Sequence, residues 1–188
     1  MKKIFVVAAM ALLTLSASAQ KIGRVRFSEL VQLMPEADEA RATLKLVSKE
    51  ADEALQDIYQ EYQNKMTQYQ QKQSSWTPAI KEAKERELME IQNRLQENQQ
   101  VFQQEIQQKQ NELMDPIYKK AQETVQKLAK EAGLIAVFDS TSALYFDETA
   151  VIDLTASARK ALNIAEGRTL QALNEELQAA AAAEQQQK

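Results

Sequence analysis

The feature that most constrains the fold of this chain is a stretch of about a hundred residues, 35–132, that contains no glycine. Its apolar residues recur at the three- and four-residue spacing of an amphipathic helix. The pattern breaks once, over residues 73–78, which read QSSWTP. Serine, threonine and proline are typical of a turn between helices. The sequence therefore predicts two long antiparallel helices, a hairpin with its tip near residues 73–78.

Each predicted helix carries one apolar stripe along its length. The first stripe runs from Ala40 to Trp76, a span of about ten turns, so it stays on one side of the helix. The second runs from Ile80 to Ala132. We expect the two stripes to face each other in an arm roughly 65 Å long, from about 45 residues per helix at 1.5 Å each. Such an arm is longer than a compact core needs, so we predict that it projects from a smaller body.

Two helices cover each other only along a narrow seam, so large side chains outside it should stay partly exposed. The spacing places Tyr59, Met89 and Val101 there. Thioether side chains adapt readily to an apolar partner, and the tip carries more bases than acids. In the competing interpretation, the apolar residues only staple the hairpin and the charged ones form a solvated helix face. The predicted contact residues of the arm are Tyr59, Tyr62, Met66, Tyr69, Trp76, Met89, Lys81, Lys84 and Arg86.

Pro116 lies inside the second predicted helix. There it removes one backbone hydrogen bond and crowds the carbonyl group of Glu112. We expect a bend near the base of the arm. Two interpretations stay open: a hinge that lets the arm swing, or a fixed bend that aims it.

The segments on either side of the hairpin have the pattern of short strands. Residues 21–27 alternate apolar and polar, and further strands are predicted at 134–138, 144–146 and 151–154. These segments predict a small β-rich body.

That body, residues 20–34 and 133–164, is too small to be stable alone. Fewer than about 50 residues rarely bury enough apolar surface without disulfides or a metal, and the chain has no cysteine or histidine. The predicted fold class is therefore α+β and mostly α, with a long antiparallel helical hairpin projecting from a small β body shared in an oligomer. The residues expected to form the shared core are Ile22, Val25, Phe27, Leu134, Val137, Phe138, Leu144, Phe146, Val151, Ile152 and Leu154.

The two ends of the chain differ from the rest. Residues 1–19 contain two lysines, an uncharged run too short to span a bilayer, and a small-residue site, Ala-Ser-Ala, before Gln20. This is the pattern of a cleaved secretory signal peptide, so we expect a periplasmic protein. Residues 165–188 are rich in alanine and glutamine and are predicted to be a frayed helix or disordered.

Composition excludes several classes of function. The chain has no histidine, no cysteine and three glycines, which removes the commonest general base, thiol nucleophiles, most transition-metal sites and any glycine-rich phosphate loop. We expect no cofactor. Loss of the signal's two lysines takes the net charge from −4 to −6, which argues against a nucleic-acid binder. The remaining enzyme hypothesis is a carboxylate pair, but acids in turns more often cap the backbone. The candidates are Asp139, Asp147, Glu148 and Asp153.

Several stretches resemble the Skp/OmpH family of periplasmic chaperones. They are KIGRV and FSEL within residues 21–30, the charged hairpin, GLIAVFD at 133–139, and ALY followed by VIDLT at 151–155. The step LMDPI at 113–117 is similar to members from Bacteroidetes-type bacteria, and the resemblance covers residues 21–162. It implies a homotrimer whose strands form a central β body. Three helical arms would extend from that body around a cavity that holds unfolded outer-membrane proteins without ATP.

The resulting hypothesis is an ATP-independent periplasmic holdase, with no enzymatic activity, that prevents aggregation of unfolded outer-membrane proteins. The resemblance also implies contact of the basic arm tips with a membrane or lipopolysaccharide surface. The alternative is a periplasmic structural or adaptor coiled-coil protein without chaperone activity. An adaptor hairpin would need longer β domains on both sides, whereas only residues 21–34 precede this one.

Overall fold

The computed structural model describes residues 21–185, and the predicted signal peptide, 1–19, lies outside them. The described chain divides into two compact units, a hairpin unit of residues 35–117 and a sheet unit of residues 21–34 and 118–185. None of its helices combines the length and the apolar content needed to cross a bilayer. In chain order the elements are β1 Ile22–Val25, α1 Phe27–Leu33, α2 Pro35–Lys72, α3 Pro78–Glu131, β2 Ala136–Asp139, β3 Val151–Asp153, α4 Thr155–Ala161 and α5 Leu170–Gln185.

The hairpin breaks where the sequence predicts. α2 ends at Lys72, a single 3-10 turn spans Gln73–Ser75, and α3 begins at Pro78. Thr77 caps α3, because its hydroxyl oxygen accepts the N–H of Ile80 at 3.4 Å. Proline fits the first position of a helix, where its missing N–H would have no partner in any case.

The predicted apolar stripes form the seam of the hairpin, with an exception at the tip end of each. Trp76, predicted as the last residue of the first stripe, lies beyond the end of α2 at Lys72. Leu88 and Ile91 of α3 are buried, and the α2 stripe from Ala40 to Tyr69 is buried or half-buried throughout. Ile80, predicted to lie in the seam, is instead 43% exposed. It belongs to the first turn of α3, and α2 has already ended at Lys72, so no helix lies beside it.

Ion pairs across the hairpin reinforce one side of the seam. Arg94 pairs with Glu61, and Lys65 pairs with Glu87. Glu87 also forms an ion pair with Lys84 on its own helix, at 2.7 Å. The hydrogen bonds from Lys65 and then from Lys84 hold the pKa of Glu87 below its ordinary value. We call Glu61, Lys65, Lys84, Glu87 and Arg94 the ion-pair side.

Pro116 lies inside α3, which continues through it to Glu131. The boundary between the two compact units falls directly after Ile117. The proline therefore lies where one unit gives way to the other, and both interpretations, hinge and fixed bend, stay predictions.

The sheet is fully parallel, with β1 in the centre of the order β2-β1-β3. Gly23 lies beside Val137 and Ile152 in the register. A Cβ atom on Gly23 would lie 2.5 Å from Cδ1 of Leu134 and 3.3 Å from Cγ2 of Val137. The absence of a side chain on Gly23 therefore lets Leu134 pack against the central strand.

Gly133 ends α3, as predicted, in the left-handed conformation with φ +65°. Its N–H donates to the carbonyl of Lys130 at 3.1 Å, and that of Leu134 donates to Ala129 at 2.9 Å. These are the two bonds of a Schellman motif, which satisfies the last carbonyl groups of a helix.

The predicted strand at 144–146 does not form. Residues 140–150 are turns and irregular backbone instead. The carboxylate of Asp139 accepts the N–H of Thr141, and that of Asp147 accepts the N–H of Thr149, so a turn is fixed on either side. Because β1 is already paired on both sides, the segment could join the sheet only at the outer edge of β2 or β3, and it joins neither.

The sheet unit is larger than the body inferred from the sequence. Residues 118–132 of α3 belong to it, and the ring of Tyr118 lies 6.3 Å from that of Phe27. With α5 the unit has about 80 described residues, a size at which a single core can form. The size argument for an oligomer therefore no longer holds by itself. The buried apolar residues of this unit are Val25, Leu30, Val31, Leu33, Met34, Ala121, Val125, Leu154, Ala158, Leu162, Ile164 and Leu173.

The start of the alanine- and glutamine-rich tail is ordered rather than frayed. α5 contacts α1, and Leu173 in its first turn is 4% exposed, whereas Leu177 is 45% exposed. Arg159 of α4 fixes the connection, because its guanidinium pairs with Glu29 at 3.1 Å and donates to the carbonyl of Ala165 at 3.2 Å. The sequence does not predict this docking, because a short stripe of leucine and alanine does not show which helix it packs against.

We expect Leu173→Ala to lower the free energy of unfolding by about 2 kcal/mol or more, because it leaves a cavity under α5. Leu177→Ala, the matched control one turn later, should cost less than about 1 kcal/mol because its side chain is already hydrated. Urea unfolding followed by circular dichroism, at one protein concentration, measures both. Equal losses in the two variants would show that α5 is not docked.

The ion-pair side should make stability depend on pH. A carboxyl group whose pKa is lowered by folding stabilises the folded state above its unfolded pKa, and that stabilisation is lost as the pH falls. We expect Glu87→Gln to lower the melting temperature by about 1–3 °C at pH 7. The difference from the unsubstituted protein should close in acid, below the ordinary glutamate pKa of about 4.3. Glu90→Gln, the control at an exposed neighbouring position, should leave the melting temperature unchanged both at pH 7 and in acid. A pH-independent effect of Glu87→Gln would contradict the assignment.

Candidate functional site

One side of the hairpin seam is lined by tyrosine and methionine. On α2 the tyrosines and one methionine follow the spacing i, i+3, i+7, i+10 from Tyr59. On α3 the second methionine, Met89, lies between two polar residues, Glu85 and Gln92, at the spacing i, i+4, i+7. Each set therefore lies along one helix edge. We call the set the Tyr–Met face, and its members are Tyr59, Tyr62, Met66, Tyr69, Glu85, Met89 and Gln92.

Two hydrogen bonds join the helices along this face. The Tyr69 hydroxyl donates to a carboxylate oxygen of Glu85, and the side-chain amide of Gln92 donates to the Tyr62 hydroxyl at 2.8 Å. Met66 lies between the two tyrosines on its helix, and Met89 lies between Glu85 and Gln92 on the other. Both thioethers therefore occupy the stretch of the face between the two cross-helix bonds.

The face is partly open to solvent. Tyr59 is 53% and Met89 60% exposed, while Tyr62, Met66 and Tyr69 are half-buried. The exposure predicted for Tyr59, Met89 and Val101 is thus confirmed. An exposed methionine beside half-buried tyrosines offers apolar contact area without unfolding the hairpin.

The tyrosine rings are held in place. The hydrogen bond to Glu85, followed by burial, raises the pKa of Tyr69, so its hydroxyl stays protonated and donates. Trp76, in the link between the helices, packs edge-to-face on Tyr69 with ring centroids 5.8 Å apart and an angle of 65°. Trp76 thus lies at the end of the Tyr–Met face, although α2 itself ends at Lys72.

The basic residues predicted as contacts are not gathered on this face. Lys84 belongs to the ion-pair side, and Arg86 lies 3.7 Å from Glu82 on its own helix. Lys81 is half-buried near the start of α3. Sequence reasoning recognised the excess of bases at the tip, but it missed Glu85 and Gln92, which fix the tyrosines. Only the pairing of the two helices reveals those partners.

The turn carboxylates proposed for the enzyme hypothesis hold the backbone and Arg24. Burial raises the pKa of Asp153, but hydrogen bonds from Thr155 and the charge of Arg24 outweigh it and leave the pKa low. Arg24 pairs with Asp153 at 3.0 Å and Glu148 at 3.6 Å, and its guanidinium lies 4.7 Å from the centre of the Phe146 ring.

Asp139 and Asp147 are likewise engaged as turn acceptors. Burial raises the pKa of Asp139, but the hydrogen bonds of Thr141 and Ser28 outweigh it and lower the pKa. The hydroxyl and N–H of Thr149 lower the pKa of Asp147. Carboxylates kept ionised in this way are poor general acids. Across residues 21–185, no three acidic side chains come together in an arrangement that could hold a metal ion.

The sheet unit carries a second exposed apolar surface. Leu144 is fully exposed and Tyr145 is 86% exposed, in the irregular segment between β2 and β3. We call Leu144 and Tyr145 the apolar rim. Ile135, Phe138 and Ile152 are exposed as well. In the strand register Phe138 lies beside Arg24 and Ile152 beside Gly23, so these two side chains point to opposite faces of the sheet. The sequence predicts Phe138, Leu144 and Ile152 for the shared core but not Ile135 and Tyr145, although both lie within predicted strands.

Two residues predicted for a core shared between chains belong to this chain's own core. Val25 is 3% and Leu154 5% exposed, so both are buried within the sheet unit. They cannot contribute surface to another copy without unfolding. The other predicted shared-core residues are half-buried: Ile22, Phe27, Leu134, Val137, Phe146 and Val151.

Comparison with known proteins agrees with this architecture. The sequence model of the family described as outer membrane protein (OmpH-like) matches residues 21–162. The chaperone protein Skp of Yersinia enterocolitica is 28% identical over 145 residues, which cover 77% of this chain and 87% of Skp. A solved structure of an OmpH-like protein from Caulobacter crescentus superposes with a TM-score of 0.66 at 15% identity, over 79% of this chain and 86% of that one.

The family match includes β1, both long helices, β2, β3 and α4, and it ends before α5. The similar structure has the same mostly helical fold. The chain therefore belongs to the OmpH-like outer membrane protein family.

Proposed function

We propose that the protein is an ATP-independent periplasmic holdase that binds unfolded outer-membrane proteins and prevents their aggregation. The observation that carries the proposal is the exposed Tyr–Met face on a hairpin of two long helices, in a chain of this family. The similarity to the chaperone Skp supports the chaperone role and the periplasmic location. The three glycines of the chain form no phosphate-cradling loop, which agrees with a mechanism without nucleotide.

Several copies of the hairpin would hold one client together. Exposed side chains such as Tyr59 and Met89 offer small apolar contacts, each of which is weak. When several arms are linked, binding of the client to one arm raises its effective concentration at the others. The complex would therefore be tight while the client stays mobile. The client leaves when folding into the membrane buries its apolar surface better than the arms do.

The assembly that joins the arms would be a homotrimer formed through the apolar rim. A fully exposed leucine next to an exposed tyrosine is unusual on a monomer and marks a contact surface. Phe138 on β2 and Ile152 on β3 expose further apolar area, on opposite faces of the sheet. Three copies would bury these rims together and enclose a cavity between the arms.

The basic tip residues would act through long-range steering. Lys81, Lys84 and Arg86 would attract acidic segments of a client, or a membrane or lipopolysaccharide surface. Lys84 and Arg86 each have a carboxylate nearby, so their attraction is moderate and should fall with salt. The Tyr–Met face would then hold what the tip collects.

The holdase proposal predicts the fate of a denatured β-barrel protein diluted into buffer without ATP. One trimer per client should suppress the rise in light scattering. The double variant Tyr59→Gln, Met89→Gln should suppress it several-fold less, because two apolar contacts per arm are lost. Leu46→Gln, equally exposed at 62% but on the outer side of α2, should behave as the unsubstituted protein. Undiminished scattering with the unsubstituted protein would refute the proposal.

The assembly proposal predicts the mass of the mature protein in solution. Multi-angle light scattering should give three times the chain mass. The double variant Leu144→Asp, Tyr145→Asp should shift the mass towards the monomer, because charges on the rim oppose its burial. Leu177→Asp, a charge placed on an exposed leucine of α5, should leave the trimer intact. A monomeric unsubstituted protein would exclude this assembly.

A further inference from the structure

We infer that the Tyr–Met face selects aromatic side chains of an extended polypeptide over aliphatic ones of similar size. The inference rests on the proposed holdase function and names the chemical class of side chain that the arm takes. Transmembrane β-barrels carry girdles of aromatic residues at both membrane interfaces, so clients of this class would supply such side chains.

The hairpin already seats one aromatic ring on this face. Trp76 packs on Tyr69 edge-to-face, at 5.8 Å and 65°, the arrangement preferred between two rings. Trp76 belongs to the link after α2, so the contact shows that a ring from outside this helix fits against Tyr69. Further along the same helix edge, Tyr62 and the exposed Tyr59 offer the same kind of ring without a partner ring of their own among residues 21–185.

The two thioethers add a preference that aliphatic side chains cannot share. Sulfur makes favourable contacts with aromatic rings at about 5 Å, often at the ring edge. Met66 and Met89 lie between the tyrosines and between their hydrogen-bond partners, so an entering ring would meet sulfur and ring together. Contacts of this kind are worth a factor of about two to ten in affinity.

The charges of the hairpin agree with an uncharged ring as the occupant. The single acid of the face, Glu85, accepts a hydrogen bond from the Tyr69 hydroxyl. The cross-helix ion pairs lie on the opposite side of the seam. The Tyr62 hydroxyl likewise accepts a hydrogen bond from the side-chain amide of Gln92. An aromatic side chain therefore displaces little firmly held polar solvation when it enters.

The test compares two peptides of equal length, charge and backbone, one with Phe and Tyr at alternate positions and one with Leu and Ile. Titration calorimetry with the assembled protein should show at least about fivefold tighter binding of the aromatic peptide. The double variant Met66→Leu, Met89→Leu should reduce that preference at least threefold and leave binding of the aliphatic peptide within about twofold. Met114→Leu, which lies on α3 outside the face, is the matched control and should retain the full preference.

Equal binding of both peptides by the unsubstituted protein would overturn the inference, while suppression of aggregation in the light-scattering assay would leave the holdase proposal standing. A preference unchanged by the double methionine variant would also overturn it. Because the chain has no cysteine, Tyr59→Cys provides a unique thiol. Efficient disulfide formation between copies of this variant would show that a second copy covers the face, and would overturn the inference as well.

Discussion

The interaction on which the rest of the structure depends is the seam between α2 and α3. A helix with 3.6 residues per turn can direct only about one residue per turn into a two-helix seam, so the pair buries a single row such as Leu88 and Ile91. Large residues beside that row have nothing to cover them. Exposure of Tyr59 and Met89 is thus a consequence of building with two helices, and a third helix would have buried both.

The sheet imposes a comparable constraint on the other unit. Parallel strands need crossover connections, and the whole hairpin is inserted in the crossover from β1 to β2. With β1 paired on both edges, the chain between β2 and β3 has no edge of the central strand to join. That chain does not pair with the outer edge of β2 or β3 either, so Leu144 and Tyr145 lie on an exposed loop. Each unit exposes apolar side chains for a topological reason, and neither exposure requires strain.

Local chemistry in the sequence was sufficient to predict the hairpin. The break at 73–78, the end of α3 at Gly133 and the exposure of Tyr59 and Met89 follow from spacing, proline and glycine. The predictions that the structure contradicts concern contacts between residues far apart in the chain. The segment 144–146 joins neither edge of the sheet, and the link before α5 is held by Arg159, which pairs with Glu29 about 130 residues away.

The contact of Trp76 with Tyr69 has a consequence for how the face would work. A ring that belongs to the hairpin occupies the distal end of the face, so an incoming aromatic side chain either adds beside it, at Tyr62 and Tyr59, or displaces it. Displacement would exchange one edge-to-face contact for another at little net cost in free energy. Such an exchange would keep binding at this end weak and rapid. The remainder of the face, where no internal ring competes, would hold the client longer. On the proposed function, the tip would then serve for encounter and the stretch behind it for retention.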